Sequence, residues 1–591
     1  MKKGKGLYPN QHCLGKGFNP QPAKASGTIY IRADGSVEPD TAPISSADNV
    51  TYTFIDNINE SIVVERDSIV IDGAGYTVQG TGAWGSKGID LSGRNNVTIR
   101  NMEIRAFWAG IWLDYSSNNV ISGNNITNNQ HYGMQLRQSS NNNLSGNNVT
   151  ANNFFSILLY ESFDNSISGN SITNNRYGVY IGFSSNNSLS ENIMNSNRPN
   201  LFVEGDELGH FVHSIDVSNL VDGKPVYYLL DQKDLVINPV THPQVGYLGL
   251  INCANVTVEG LTLTNNGQVL LLVYTNNSRI TNNRIANNYH AVELWYSSNN
   301  NISGNIIIAN EWWSIMVRGS VNNRIFENNI SANFHGGIQL GQSSNNYVSG
   351  NNITDNHMGL AIYSSYNNSI SRNNITDNYF GVMLSSSSDN KFYHNNFENN
   401  TQQVYFSTPA YANFWDDGYP SGGNYWSDYE ERYPDAEELD GSGIWNTPYV
   451  IDENNQDNYS LMNPWPPAPP EIVATADIIP NTLNLKSKGK WITAHIELSD
   501  DYNVSAIDRA IVMLNNTIPV DTFWLDKPFE SVIGDHDDDG ITDLMVKFDR
   551  QAVIEYLKTK GITDAEVTLA ITGEANGMPF EVTDTIKVIG Q

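Results

Sequence analysis

At 591 residues the chain is long enough for more than one domain. Charged residues make up 16%, yet 63 acidic against 33 basic side chains leave a formal net charge of -30, which argues against nucleic acid or an anionic membrane as the main partner. The two cysteines, Cys13 and Cys253, lie far apart without metal-type spacing and read as unrelated thiols.

Residues 1–26 read as a leader or disordered stretch. MKKGKGLYPNQHCLGKG carries the basic residues of a signal n-region, but no apolar stretch follows them. No run of about 18 apolar residues occurs anywhere, so no transmembrane helix is encoded. Asn-X-Ser/Thr sequons such as Asn125 and Asn352 arise mainly from the composition of the repeat. The expected location is extracellular or at the cell surface, with the true signal peptide missing from this start. Residues 27–95 alternate short apolar runs with glycine corners, as in IVIDGAGYTVQG, and read as an N-terminal cap with the first rungs of a solenoid. No Lys-Ser/Thr follows the GAG, so it is a turn rather than a phosphate loop.

From residue 96 one short phrase recurs every 22 or 23 residues, through 96–198 and again through 255–401. A typical copy is NNVISGNNITNNQHYGMQLRQSS, three apolar pieces separated by Asn, Ser and Gly. Such a period means stacked units that cannot bury a core alone. Three strand-like pieces per copy predict an all-β, right-handed, single-stranded parallel β-helix. Ile121, Leu144, Ile167 and Leu189, then Ile280, Ile302, Ile325, Val348, Ile370 and Phe392, should stack as interior ladders, with Asn ladders at the turns. Between the runs, residues 199–254 break the period. VDGKPVYYLLDQKDLVI within them reads as an inserted hairpin projecting from the rod.

Residues 402–463 turn aromatic and acidic and read as a C-terminal cap in which Trp415, Tyr419, Tyr425 and Trp426 cover the last rung, with a sugar-stacking platform as the rival reading. Residues 464–470, PWPPAPP, form a stiff linker. Residues 471–591 read as a small β-sandwich-like domain with one helix near 551–560. Its GDHDDDGITD loop gathers Asp535, Asp537, Asp539 and Asp543, with the Ile541 carbonyl, as hard oxygen ligands suited to a structural Ca²⁺.

Within the repeats, outward positions of the GMQL-like strands give Trp112, Tyr160, Tyr180 and Trp295. Just before those strands runs a second series including Trp108, His131, Phe154, Tyr177, Tyr289, Trp312 and Trp313. Rung stacking would line these up about 4.8 Å apart as a strip suited to a polysaccharide or surface glycan, which offers CH faces and hydroxyls. A lyase or hydrolase needs paired carboxylates or a carboxylate with a base. Asp114, Arg137 and Glu161 are the nearest approach to such a set, and chance placement explains them better. Copper would want His and Met together, and His335, His357, Met358 and Met383 offer a loose grouping, though His and Met scattered through such a strip more often serve packing.

The rungs, with IDGAGYTVQG, VDGKPVYYLLDQKDLVI and the cap WDDGYPSGGNYWSDY, resemble NosD-like β-helix proteins of the CASH-repeat type over roughly residues 27–466, in a wording of archaeal cell-surface character. The resemblance implies the fold; it also brings in periplasmic copper-site assembly, from which the family takes its name. It supplies no ligand or catalytic set. The C-terminal domain resembles a β module appended to archaeal surface proteins. The leading expectation is a non-enzymatic surface protein that binds carbohydrate or forms part of the surface layer with other cell-surface proteins. A lyase or glycoside hydrolase acting on an acidic glycan, and a copper-handling accessory protein, are the alternatives.

Overall fold

A computed structural model describes residues 27–407, 411–465, 474–498, 503–515, 517–525, 527–536, 541–575 and 578–590. The chain divides into two units at Pro464/Trp465.

One rung, residues 118–140, explains the wording of the repeat. Its strands Val120–Ser122, Asn125–Thr127 and Tyr132–Arg137 each pair in parallel with the matching strand one copy on. Four residues take left-handed backbone at its corners: Asn118 (φ 59°), Gly123 (64°), Asn128 (54°) and Gln138 (46°). Asn and Gly enter that region at least cost, so they dominate these places. The residue after each corner, Asn119, Asn124, Asn129 or Ser139, is buried. Asn142 Oδ1 accepts from the Asn119 backbone N–H (2.9 Å) and from its Nδ2 (3.0 Å), while Asn142 Nδ2 donates to the Ser116 carbonyl (3.0 Å). The doubled Asn is thus two devices: the first bends the chain, the second satisfies buried polar groups of the turn.

The interior ladders stack as the period predicts. Ile121 faces Leu144, then Ile167 and Leu189, and in the second run Ile280 leads rung by rung to Phe392, all essentially without exposure. Where glycine holds the second place of a long strand the room is tight, since a Cβ on Gly359 would stand 2.6 Å from the Gly381 carbonyl oxygen; other rungs carry Ser156, Val269, Ala291 or Ser314 at that place. The solenoid has about 16 turns, more than the twelve copies of the phrase. Strands between residues 29 and 90, and others between 201 and 251, supply additional turns.

Residues 199–254 depart from expectation. The hairpin exists, but it is woven into the wall instead of projecting. Leu220–Val221 pairs in parallel with Ile193–Asn195 and antiparallel with Lys224–Leu230, which pairs in parallel with Tyr247–Ile251. The turn is Asp222–Gly223, both left-handed (φ 46° and 77°), as a tight hairpin demands. One 16-stranded sheet therefore runs through both repeat runs and inverts its strand direction at this point. The two runs have separate cores. Alternation along Gln268–Val273 divides that strand between them: Leu270 and Leu272 face the second core, Leu271 and Val273 join the first. The outer face of the second run's early strands thus packs onto the first core.

At the far end Trp415 stacks on Phe392 (4.3 Å), Trp426 on Phe397 (4.4 Å), and Tyr449 on Trp426 (4.2 Å). Both tryptophans are 1% exposed, so they plug the core and offer no platform to a sugar. Tyr419, 49% exposed, lies outside this plug and hydrogen-bonds Asp440.

The C-terminal unit holds a four-stranded and a five-stranded sheet, mostly antiparallel, with a helix Arg550–Thr559 whose N-cap Asp549 accepts from Ala552 N–H (2.8 Å). Asp537 and Asp539 of the expected calcium loop lie outside the described residues. Asp543 is fully buried and committed to His536, accepting from its backbone N–H (2.7 Å) and meeting its Nδ1 (2.8 Å).

Candidate functional site

Stacking rungs brings side chains of equal position into files. Ahead of the long strands the rings form one continuous file. Trp84 meets Trp108 at 6.1 Å, Trp108 meets His131 at 5.2 Å, and His131 meets Phe154 at 4.6 Å. Phe154 meets Tyr177 at 5.1 Å, and Tyr177 meets Tyr289 at 6.3 Å, which carries the file from the first run onto the second. Tyr289 then stacks on Trp312 (6.1 Å) and Trp312 on His335 (3.8 Å, planes 3° apart). On the rung after His335 the file resumes with His357, which stacks on Tyr379 (5.1 Å). Most of these rings are half-buried, and Trp84 is 90% exposed.

Of the predicted binding residues, Trp112, Tyr180 and Trp312 are partly exposed on or beside this file, and Tyr160, also partly exposed, lies at the other end of its strand against Phe183 (5.5 Å). Trp112 lies 5.6 Å from Trp108 with the Lys87 ammonium 4.6 Å over its ring, and Tyr180 stacks on Phe202 at 5.4 Å. Two expectations fail. Trp295 is 5% exposed, packed near Phe211 with its Nε1 donating to Glu293 (2.9 Å). Trp313 is 2% exposed, packed with Met358 and Ala361. Trp295 points outward from its own rung, as alternation requires, but the first run covers that face.

The catalytic trio does not assemble. Asp114 and Arg137 are register partners on adjacent strands, but no salt bridge joins them among the described residues. Glu161, at a left-handed corner, accepts from Gln138 Nε2 (2.7 Å). Glu311 pairs with Arg198 (2.7 Å), well apart in environment from the buried Glu293.

Sequence reading missed the polar knot where the runs meet. Glu293 accepts from Gln268 Nε2 (2.9 Å) and Trp295 Nε1, Gln268 Oε1 accepts from Tyr247 Oη (2.9 Å), and Gln268 Nε2 also reaches the Val203 carbonyl (3.2 Å). Burial pushes the Glu293 carboxyl up to about 7 and the His290 imidazole down to about 3. Glu204 nearby is also raised by burial, against a hydrogen bond from Tyr180 that lowers it. It missed Trp84 too, although that ring precedes its strand much as Trp108 precedes the next.

For copper, the Met358 and Met383 sulfurs both meet the Tyr363 hydroxyl, at 3.9 and 3.5 Å. His335 and His357 make their described contacts with aromatic rings instead. Two soft donors without a converging imidazole do not make up a copper donor set. Among the described residues, no group of three or more His, Cys, Asp or Glu is placed to hold a metal ion.

These features define a three-sided parallel β-solenoid protein with an aromatic file along its wall. The chain belongs to the NosD family, whose model, described as periplasmic copper-binding protein (NosD), matches residues 30–225 and 230–431. No curated protein matches the chain. Among solved structures it is similar to a mutant of the periplasmic alginate epimerase AlgG, at 14% identity over 65% of this chain and 83% of that one, TM-score 0.23. It is also similar to the Dettilon tailspike protein, at 14% identity over 78% of each chain, TM-score 0.22. A third is the A-module of the Azotobacter vinelandii mannuronan C-5 epimerase AlgE6, at 10% identity over 62% and 88%, TM-score 0.20. Identities and scores of this size speak to neither substrate nor activity. No helix among the described residues is long and apolar enough to cross a membrane.

Proposed function

We propose that this protein acts outside the cytoplasm as a glycan-binding solenoid, laying a polysaccharide along its aromatic file without cleaving it. The observation that carries this reading is the unbroken run of rings from Trp84 to His335, which passes between the two runs at Tyr177 and Tyr289. Aromatic faces at rung spacing match a polymer that repeats CH faces, and Lys87 and Asp90 beside Trp112 can meet hydroxyls. Cleavage is less well supported, because the candidate carboxylates do not pair with one another: Asp90 is bound to Lys87 and Glu161 to Gln138. The test is affinity electrophoresis of the purified chain in gels cast with neutral and acidic polysaccharides, run beside a reducing-end assay. Retardation without new reducing ends is expected. New chain ends, or no retardation by any polysaccharide, would sink the reading.

A further inference from the structure

Among the described residues, the last turn of the second run is continued by further pairing on two of its three sides. Phe414 bridges onto Lys391 on one side, and Tyr425–Trp426 pairs with Asn396–Glu398 on another. On the long-strand side, Gln402–Phe406 is the last strand of its sheet. A cleft of about 670 Å³ lies between this strand and the short helix Tyr429–Arg432. That volume falls within the roughly 300–1,000 Å³ typical of small-ligand sites.

The cleft stands where the aromatic file ends. Phe380 faces Gln402 in register, and Gln402 N–H donates to the Tyr379 carbonyl (3.0 Å), so Thr401 and Gln402 hold the next place after Tyr379. The wall is built from fixed parts. Tyr449 is held between Trp426 (4.2 Å) and the Arg432 guanidinium (4.2 Å). Its hydroxyl meets both oxygens of Asp428 at 3.0 Å, and Gln403 Nε2 reaches the same carboxylate at 3.4 Å. Arg432 is already engaged, donating to the Val450 carbonyl (2.8 Å) and lying 3.9 Å from Asp428. With Asp428 and Glu431 against Arg432, the lining carries one net negative charge and leaves no unpaired cation for a sugar carboxylate.

We infer that this cleft is the terminal subsite of the aromatic file and takes the end of a neutral saccharide chain. The inference rests on the glycan reading above. The amides and hydroxyls of Asn399, Thr401, Gln402 and Ser427 suit the hydroxyls of a neutral sugar. The short helix Tyr429–Arg432 lines the side of the cleft facing the last strand, where it would stop a chain laid along the file.

The experiment is isothermal titration of the full chain with hexamers of a neutral hexose, an N-acetylhexosamine and mannuronate, and with the long polymer that retards it in gels. Two variants accompany it. Thr401→Trp fills the mouth of the cleft, and Trp84→Ala removes the exposed ring at the opposite end of the file; unchanged circular dichroism and thermal melting certify each. Thr401→Trp should weaken neutral hexamer binding by about tenfold or more, the scale of one good contact, and leave the long polymer nearly unaffected. Trp84→Ala should do the reverse. If the polymer still binds but Thr401→Trp changes nothing, or mannuronate binds as well as the neutral hexamers, the subsite falls and the file stands. If neither hexamer nor polymer binds, both fall together.

Discussion

Glu293 Oε1 and His290 Nδ1 lie 3.2 Å apart where the two runs meet, with their side chains 0% and 7% exposed. Gln268 and Trp295 hold the carboxyl; Arg318 and Glu204 act on it electrostatically, and Tyr247 closes the knot through Gln268. Burial makes both members reluctant to ionise, so in the mid-acid range each is neutral. Their effects on stability oppose. The carboxyl, raised to about 7, contributes stability that is complete below its unfolded value near 4.5 and is lost as pH rises through 7. The ring, lowered to about 3, contributes stability present above its unfolded value near 6.5 and lost as pH falls through 3.

From this follows a difference experiment. Glu293→Gln keeps the acceptor for Gln268 and Trp295 but cannot ionise. The stability of the variant minus that of the wild type, from denaturant titrations, should climb between pH 4.5 and 7 and be level on either side. A level difference throughout would mean that Glu293 does not titrate in this window.

The two outward tryptophans should part company. Trp295→Ala empties a buried position at the junction and should cost about 3–5 kcal/mol in chemical unfolding. Trp112→Ala, at a half-buried position beside the file, should cost far less and instead weaken retardation by polysaccharide. Equal losses of stability would contradict the placement of Trp295 between the runs.

Adjacent asparagines of one corner make a sharper pair. Asn323 Oδ1 accepts from Asn300 N–H (3.0 Å) and Nδ2 (3.1 Å), and its Nδ2 donates to Ser297 O (2.9 Å) and Asn346 Oδ1 (3.1 Å). Asn323→Ala strands several of these buried groups and should cost roughly 2–4 kcal/mol. Asn322, at φ 58°, should accept glycine within about 0.5 kcal/mol but lose about 1–2 kcal/mol to valine. Thermal melts of the three variants decide it.

For the Asp-rich loop we propose calcium, on its residue types. A chelator should lower the melting of the C-terminal unit in calorimetry, and Asp535→Asn should abolish that shift. Asp543→Asn should destabilise the unit with or without calcium, because it breaks the contacts to His536. A melting profile indifferent to chelation would dispose of the metal.

Much of the wall is legible in sequence because its contacts are made between equal positions of neighbouring copies. Ile121 predicts Leu144 and Asn119 predicts Asn142 through the period alone. Junction and cap obey no such rule. The hairpin at Asp222–Gly223 is readable as a turn, but its role as a reversal depends on pairing with strands on both sides, which no local pattern encodes. The same blindness misplaced Trp295: alternation gives its direction correctly, and only the assembled runs show that this direction leads into a core. Trp313 failed for a nearer reason, since Met358 from two rungs on closes over it.

The parallel register also bears on how such a chain can vary. Rungs inside each run turn at the same four corners and mostly present buried Asn and Ser to their neighbours, so one more phrase of 22 or 23 residues within a run would meet matching groups above and below. It would lengthen the wall by one strand spacing, about 4.8 Å, and add one ring to the file while leaving reversal and end plug untouched. The protein is in this sense a graduated ruler. Its reach is set by how many times a phrase is repeated, and its ends are set by sequences that occur once.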